Sequence, residues 1–226
     1  IEGCCVGEPW NSLLEYEELG HILHSGHQIW QNAPEKVLGM RADWTEQHDM
    51  MHRHLLRALL AACQWLDNPH NHGLLRDVLA RPEYLGEQIN VLDNHPYSLF
   101  HPRLHQHFFR HSANFPWLSQ AHWLATRLTL RGQLGPVDDT MVRRVIRPDL
   151  FRDAAASMGI DAPVIDSKTE GRHQLPFTLS GRYGPVDVAS DRLLGEHLHD
   201  WLADNPMATP NKEASRTKTA TKTRPQ

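Results

Sequence analysis

Gly7, Glu8 and Trp10, with Lys36 further along the chain, bring together the groups that a small anion needs. Gly7 has no Cβ, so a ligand can come up against its backbone amide. Pro9 stands where a helix can start, and the first amides of a helix have no acceptor within it. Those amides carry about half a unit of positive charge, and Lys36 adds a full one. A buried monovalent oxyanion asks for one compensating charge, several donors in a plane and walls that exclude water. At about 4 Å and an effective dielectric near 20, a lysine–anion pair is worth on the order of 4 kcal/mol before desolvation. Glu8 competes with the anion for the same helix start, so it must turn away or pair with a cation. Trp10 and Trp30 are open between walling such a cleft and filling a core.

The elements that must hold these groups follow from the pattern around them. Cys4-Cys5-Val6 is a short apolar run with strand character that stops at Gly7, giving a strand, a glycine turn and a helix start in ten residues. Adjacent strand side chains point to opposite faces, so Cys4 and Cys5 are expected as small buried residues, not a redox pair. Trp10 to Tyr16 reads as a short helix. HILH, His21 to His24, and KVLGM, Lys36 to Met40, read as strands, an arrangement that fits an α/β sheet. Asp43 to Leu66 is the clearest helix, with Asp43 and Glu46 at capping-box spacing. Its predicted buried stripe is Trp44, His48, Met51, Leu55, Leu59, Cys63 and Leu66. Shorter helices are expected over Leu74–Leu79, Pro116–Arg131, Asp138–Ile146, Asp149–Met158 and Asp191–Trp201, with Trp117, Ala121, Leu124 and Leu128 buried on the second. Tyr84 to Phe115 reads as a long irregular segment with one helical stretch after Pro102, and the chain beyond Pro163 as loop.

Several ordered stretches resemble one family. VGEPWNSL, QIWQNAPEKVLGMRADW, RALLAACQWLD, RPEYL, NFPWLSQAHWLATRL, RPDLFRDAAASMGI and DSKTEG, from Ile1 to about Gly171, resemble the C-terminal part of the nitrate- and bicarbonate-binding proteins of ABC importers. The resemblance implies an α/β fold of the two-lobed periplasmic-binding-protein type II. This chain would then be a helix-rich C-terminal fragment lacking the N-terminal strands. Residues 1–35 would be part of the second lobe with the anion-binding turn and crossover. Residues 36–203 would return to the first lobe, and 204–226 would form a disordered basic tail. In the family the glycine of VGEPWN and the lysine of PEKV(L/F)G contact ligand, which carries over to Gly7 and Lys36. Members that bind bicarbonate with calcium look to have an acidic residue where this chain has Lys36, and a lysine repels a divalent cation. Nitrate or nitrite is therefore the expected ligand, with an ABC permease as partner and a location outside the cytoplasm. The alternative is a cytoplasmic nitrate or nitrite sensor that releases an RNA-binding antitermination regulator.

Composition sets the outer bounds. The 226 residues carry a net charge of -4 with 22 % charged residues, and they begin at Ile1, not Met, so the chain reads as a piece of something longer. No apolar run reaches a membrane span of roughly 18 to 20 residues. From Asn205 the composition is that of a disordered tail. Lys212, Arg216, Lys218, Lys222 and Arg224 against Glu213 make it about +4, a charge expected to remain solvated without binding nucleic acid directly. Three cysteines provide neither a disulfide framework nor a CxxC motif. His101 with His105, and His107 with His111, would fall at metal-ligand spacing on a helix. No carboxylate sits within either pair and HExxH is absent, so neither a metal nor another cofactor is expected. With no nucleophile elbow, Walker loop or GxGxxG, no enzymatic activity is expected.

Overall fold

Among the described residues the packing is helix against helix, joined to a small hairpin. The computed structural model describes residues 2–94 and 107–194. In chain order the helices are α1 (Trp10–Tyr16), α2 (Gly26–Ile29), α3 (Ala42–Gln47), α4 (Asp49–Leu66), α5 (His72–Leu79), α6 (Ile89–Asn94), α7 (Leu118–Leu130), α8 (Asp139–Val145) and α9 (Pro148–Ser157). Strands β1 (Phe177–Ser180) and β2 (Pro185–Val188) pair antiparallel, with Phe177 opposite Val188 and Ser180 opposite Pro185. No helix among the described residues is long and apolar enough to cross a membrane.

Two apolar clusters share Phe151 of α9. In one, Leu60 of α4 meets Ala154 and Ala155, with Leu56, Met158 and Ile160 around them. Two alanines side by side let α4 approach α9 closely enough to bury a leucine between them. In the other, Phe115, Trp117, Ala162 and Val188 pack beside Phe177 and Leu179, with the Phe115 ring edge-on to Trp117 at 4.6 Å and to Phe151 at 5.2 Å.

Single carboxylates fix the connections by collecting backbone donors. Asp67, just past α4, accepts from the amides of Phe108, Phe109 and Arg110 at 2.8, 2.9 and 2.6 Å. Asp161 accepts from the amides of Ala162, Arg182, Tyr183 and Gly184, so the hairpin turn closes on one side chain. Burial works against the Asp161 charge, but these four amides hold its carboxyl below the usual range. A Cβ on Gly181 would collide with that carboxylate and with Val186, which explains a glycine there.

Helices α1, α5, α8 and α9 lie where the sequence places them within a residue or two, and Gly159 closes α9 at φ +69°. The expected strands do not form. Cys4–Val6, His21–His24 and Lys36–Met40 carry no ladder, and Cys4 and Cys5 are exposed. β-type residues alone do not make a strand, because its donors and acceptors must meet a neighbouring one. The 43–66 helix is two helices, broken at His48 with φ -128° and ψ 41°. In place of the Asp43–Glu46 box, Asp43 takes both guanidinium bonds of Arg41 at 3.0 and 2.6 Å. The buried face of α4 is His52 and Leu60, while Met51, Leu55 and Leu59 are exposed. On α7 the buried residues are Leu118 and Ser119, just after Trp117, whereas Leu124 and Leu128 face solvent. The segment beyond Pro163, expected as loop, contains the hairpin. Of the helix expected over Asp191–Trp201, only 191–194 are described, and they lie in a β-bridge region, not a helix. The helical stretch expected after Pro102, His101, His105 and the basic tail lie outside the described residues.

Candidate functional site

The Gly7 turn is built as a helix start. The Gly7 carbonyl accepts from Trp10 N at 3.1 Å, Pro9 O accepts from Leu13 N at 2.9 Å, and Asn11 Nδ2 holds the Val6 carbonyl at 2.5 Å. A Cβ on Gly7 would meet nothing within 4 Å, so the space beside its backbone is open. Glu8, an exposed residue, lies back along α1. Its carboxylate accepts from Ser12 Oγ at 2.6 Å and Ser12 N at 3.3 Å, with Ser12 itself fully buried. The choice left open for Glu8 therefore resolves toward its own helix, where it consumes part of the donor capacity of α1. Trp10 is 52 % exposed.

Lys36 sits on a loop that begins from a firm anchor. Ser25 starts α2 with a capping box closed by Gln28. After α2 comes Trp30, 7 % exposed and tilted against Trp123 of α7 with ring centroids 4.7 Å apart. Trp30 is thus a core residue. Around it Gln31 N donates to Arg192 O at 2.9 Å, Asn32 Nδ2 to Ser190 O at 2.7 Å, and Leu194 N to Ile29 O at 2.7 Å. Asn32, at φ 50°, takes a left-handed conformation that asparagine tolerates better than most residues. Beyond Pro34 residues 35–40 are exposed, and the Lys36 ammonium, with its side chain 88 % exposed, bonds Glu35 at 2.6 Å.

What the sequence did not single out as chemistry is a buried ionic cluster that joins Lys168 and Glu170 of the DSKTEG stretch to Asp191. Lys168 Nζ donates to Glu170 at 2.6 Å and to Asp191 at 2.5 Å, and the three side chains are at most 5 % exposed. Ser119 Oγ, on α7, donates to Glu170 at 2.6 Å and accepts from Lys168 N at 3.1 Å. The other Asp191 oxygen faces His173, accepting from its amide at 2.8 Å and lying 2.9 Å from Nδ1. Burial pushes the Glu170 carboxyl above its ordinary value, with Lys168 and Ser119 pulling the other way. Charged residues in an otherwise polar hexapeptide look like solvated loop, so only three-dimensional contact reveals them as buried.

Two of the histidines that the spacing marked, His107 and His111, lie among the described residues. His107 and His111 rings meet edge-on with centroids 4.9 Å apart, but Arg110–Ser112 is a short 3-10 turn with His111 at φ 57°, not the helix that would align a pair. Among the described residues no group of three or more His, Cys, Asp or Glu side chains is placed to hold a metal ion.

With this geometry in hand, known proteins give the chain its relatives. Residues 1–80 match the NMT1-like family. The chain is 34 % identical over 170 residues to the bicarbonate transport ATP-binding protein CmpC of Synechococcus elongatus, covering 73 % of this chain and 25 % of that one. It is 32 % identical over 179 residues to the nitrate/nitrite binding protein NrtA of the same organism, covering 73 % and 40 %. Its structure resembles the crystal structure of the periplasmic nitrate-binding protein NrtA from Synechocystis, with a TM-score of 0.59 at 28 % identity over 72 % of this chain and 46 % of that one. The chain therefore spans less than half the length of these relatives, and its helix-rich structure is a part of the α/β periplasmic-binding-protein fold.

Proposed function

We propose, for a chain that belongs with the nitrate- and bicarbonate-family binding proteins, that it is part of the anion-capturing component of an ABC-type importer, working outside the cytoplasm. Its ligand on this reading is nitrate or nitrite, with the Gly7 amide and the Lys36 ammonium as the contacts this chain supplies and Trp10 beside them. The permease that takes up the captured anion is the protein partner.

The observation that carries the choice of ligand is the charge at position 36. In the family, the bicarbonate members that use calcium look to place an acid there, and a lysine in its stead repels a divalent cation while attracting a monovalent anion. Two features of the geometry qualify the chemistry. Glu8 is committed to Ser12, so the pull on an anion comes from Gly7 and Lys36 more than from the α1 dipole. Lys36 is paired with Glu35, whose carboxylate offsets part of the positive charge an anion would meet, although the ammonium keeps two further donors. Similarity to proteins named for nitrate and nitrite binding, one of them periplasmic, supports both the ligand and the location.

The test is a calorimetric titration of the full-length protein with nitrate, nitrite, bicarbonate and sulfate, beside Lys36→Ala. The expected result is that a monovalent oxyanion binds best and that the substitution removes at least nine-tenths of the affinity. Preference for bicarbonate with calcium, or a Lys36→Ala protein that binds as the parent does, would overturn the assignment.

A further inference from the structure

The segment carrying Lys36 is held by a chain of contacts that ends in the buried cluster. Residues 29–32 hydrogen-bond to residues 190–194 through Ile29 O, Gln31 N and Asn32 Nδ2, and Trp30 forms a bridge with Leu193. Residues 190–194 are in turn fixed at Asp191. Its carboxylate is bound by Lys168 and His173, its amide donates to His173 O at 2.9 Å, and Leu193 N donates to Gly171 O at 3.2 Å. Both ends of this clamp rest on one face of α7. Ser119 receives the cluster and Trp123, four residues on, receives Trp30.

From this we propose that Lys168, Glu170 and Asp191 are positioning residues for the anion-binding segment, setting the register of residues 190–194 against residues 29–32 and so the place from which Lys36 departs. The inference rests on the anion-binding reading of Lys36. A cluster of one cation and two carboxylates at such burial is a poor way to gain stability, since well-packed apolar residues of similar volume do as well or better. What an ionic cluster does that an apolar one does not is fix one alignment. Trp30 and Leu193 meet in an isolated bridge with no ladder of paired residues around it, so nothing in a strand register guards this pairing against a one-residue slip, and the fixed partners of Asp191 do. Here such a slip would swing Trp30 away from Trp123 and carry Pro34 and Lys36 with it.

The experiment compares the full-length protein with a Lys168→Met, Glu170→Leu, Asp191→Leu triple variant, and with Asp191→Asn in case the triple variant does not fold. Amide hydrogen exchange is followed at Gln31 and Leu194, which report the clamp, and at Phe151 in α9, which reports the helical core. Nitrate affinity is measured alongside. The expected outcome is exchange at Gln31 and Leu194 accelerated about tenfold relative to Phe151, with nitrate binding weakened about tenfold. Asp191→Asn should show the same pattern in smaller degree. If Gln31 and Leu194 keep their exchange rates relative to Phe151, the positioning role is refuted whatever happens to binding. If they accelerate while nitrate affinity is unchanged, the segment is not coupled to the ligand and the proposal fails in that form. Should the parent protein bind no oxyanion at all, it is the functional reading that falls, and the exchange ratio alone still decides whether the cluster holds the segment.

Discussion

At the scale of single residues, the buried cluster has one carboxylate more than it has lysines, and this makes Lys168 and Glu170 unequal. Lys168→Met would leave Glu170 and Asp191 without the lysine they share, at 1 % and 4 % side-chain exposure. Removing one partner of a buried pair costs about 3–5 kcal/mol, and urea unfolding at pH 7 should show a loss of that order. Glu170→Gln behaves differently. Burial raises the Glu170 carboxyl in the folded state, so the fold holds that proton more tightly than the unfolded chain does. The stability this adds is present below the unfolded value, near 4.3 for glutamate, and is lost as pH rises through the folded one. Glutamine has no charge to lose and keeps an acceptor for Ser119, but its NH2 then faces Lys168, which retains Asp191. Glu170→Gln should therefore show a flatter stability profile than the parent as pH rises above the unfolded glutamate value, read by urea unfolding; a profile as steep as the parent's would contradict this. At the proposed anion contact, Glu35→Gln removes the carboxylate that now occupies the Lys36 ammonium. Nitrate binding by the full-length protein should tighten severalfold, and isothermal titration reads it directly.

Among the elements, α4 shows what a sequence can and cannot specify. Its period was legible, but its phase was not, because leucines come in adjacent pairs, Leu55–Leu56 and Leu59–Leu60, and either member gives an acceptable stripe. The partner decides: Ala154 and Ala155 of α9 leave room against Leu60 and none is needed against Leu59, which is 44 % exposed. Leu60→Ala should cost about 2–4 kcal/mol, whereas Leu59→Ala should fall within about 1 kcal/mol of the parent; equal losses would mean that the face is misassigned. The same limit hid the β1–β2 hairpin. Its strands are four residues each, and its turn is closed by Asp161, sixteen residues before β1, so no local pattern marks it. At the candidate site the residue types and the motif order were readable, as were α1 and its start. The core position of Trp30 and the bond of Glu8 to Ser12 were not, because each depends on a contact, with Trp123 or with the buried Ser12, that spacing does not encode.

For the molecule as a whole, the balance that matters is between charge and water. The segment carrying the proposed cation lies in solvent, with Val37 82 % exposed next to the 88 % exposed Lys36 side chain. A lysine–anion pair at about 4 Å is worth on the order of 1 kcal/mol in bulk water, against about 4 at an effective dielectric of 20. Physiological salt screens it further over about 8 Å. The relatives that bind nitrate are more than twice as long as the stretch they share with this chain, and on the proposed reading the missing walls and donors come from the remainder of such a fold. The 226-residue chain on its own is therefore expected to bind nitrate more weakly than about 1 mM, a threshold that corresponds to about -4 kcal/mol. Whatever binding it shows should fade as ionic strength is raised from 10 to 200 mM. Chemical-shift titration of the isolated chain measures both. Micromolar affinity that survives salt would mean that these residues already enclose a dry, complete cavity, and it would place the ligand at buried groups elsewhere in the chain, away from the exposed ammonium of Lys36.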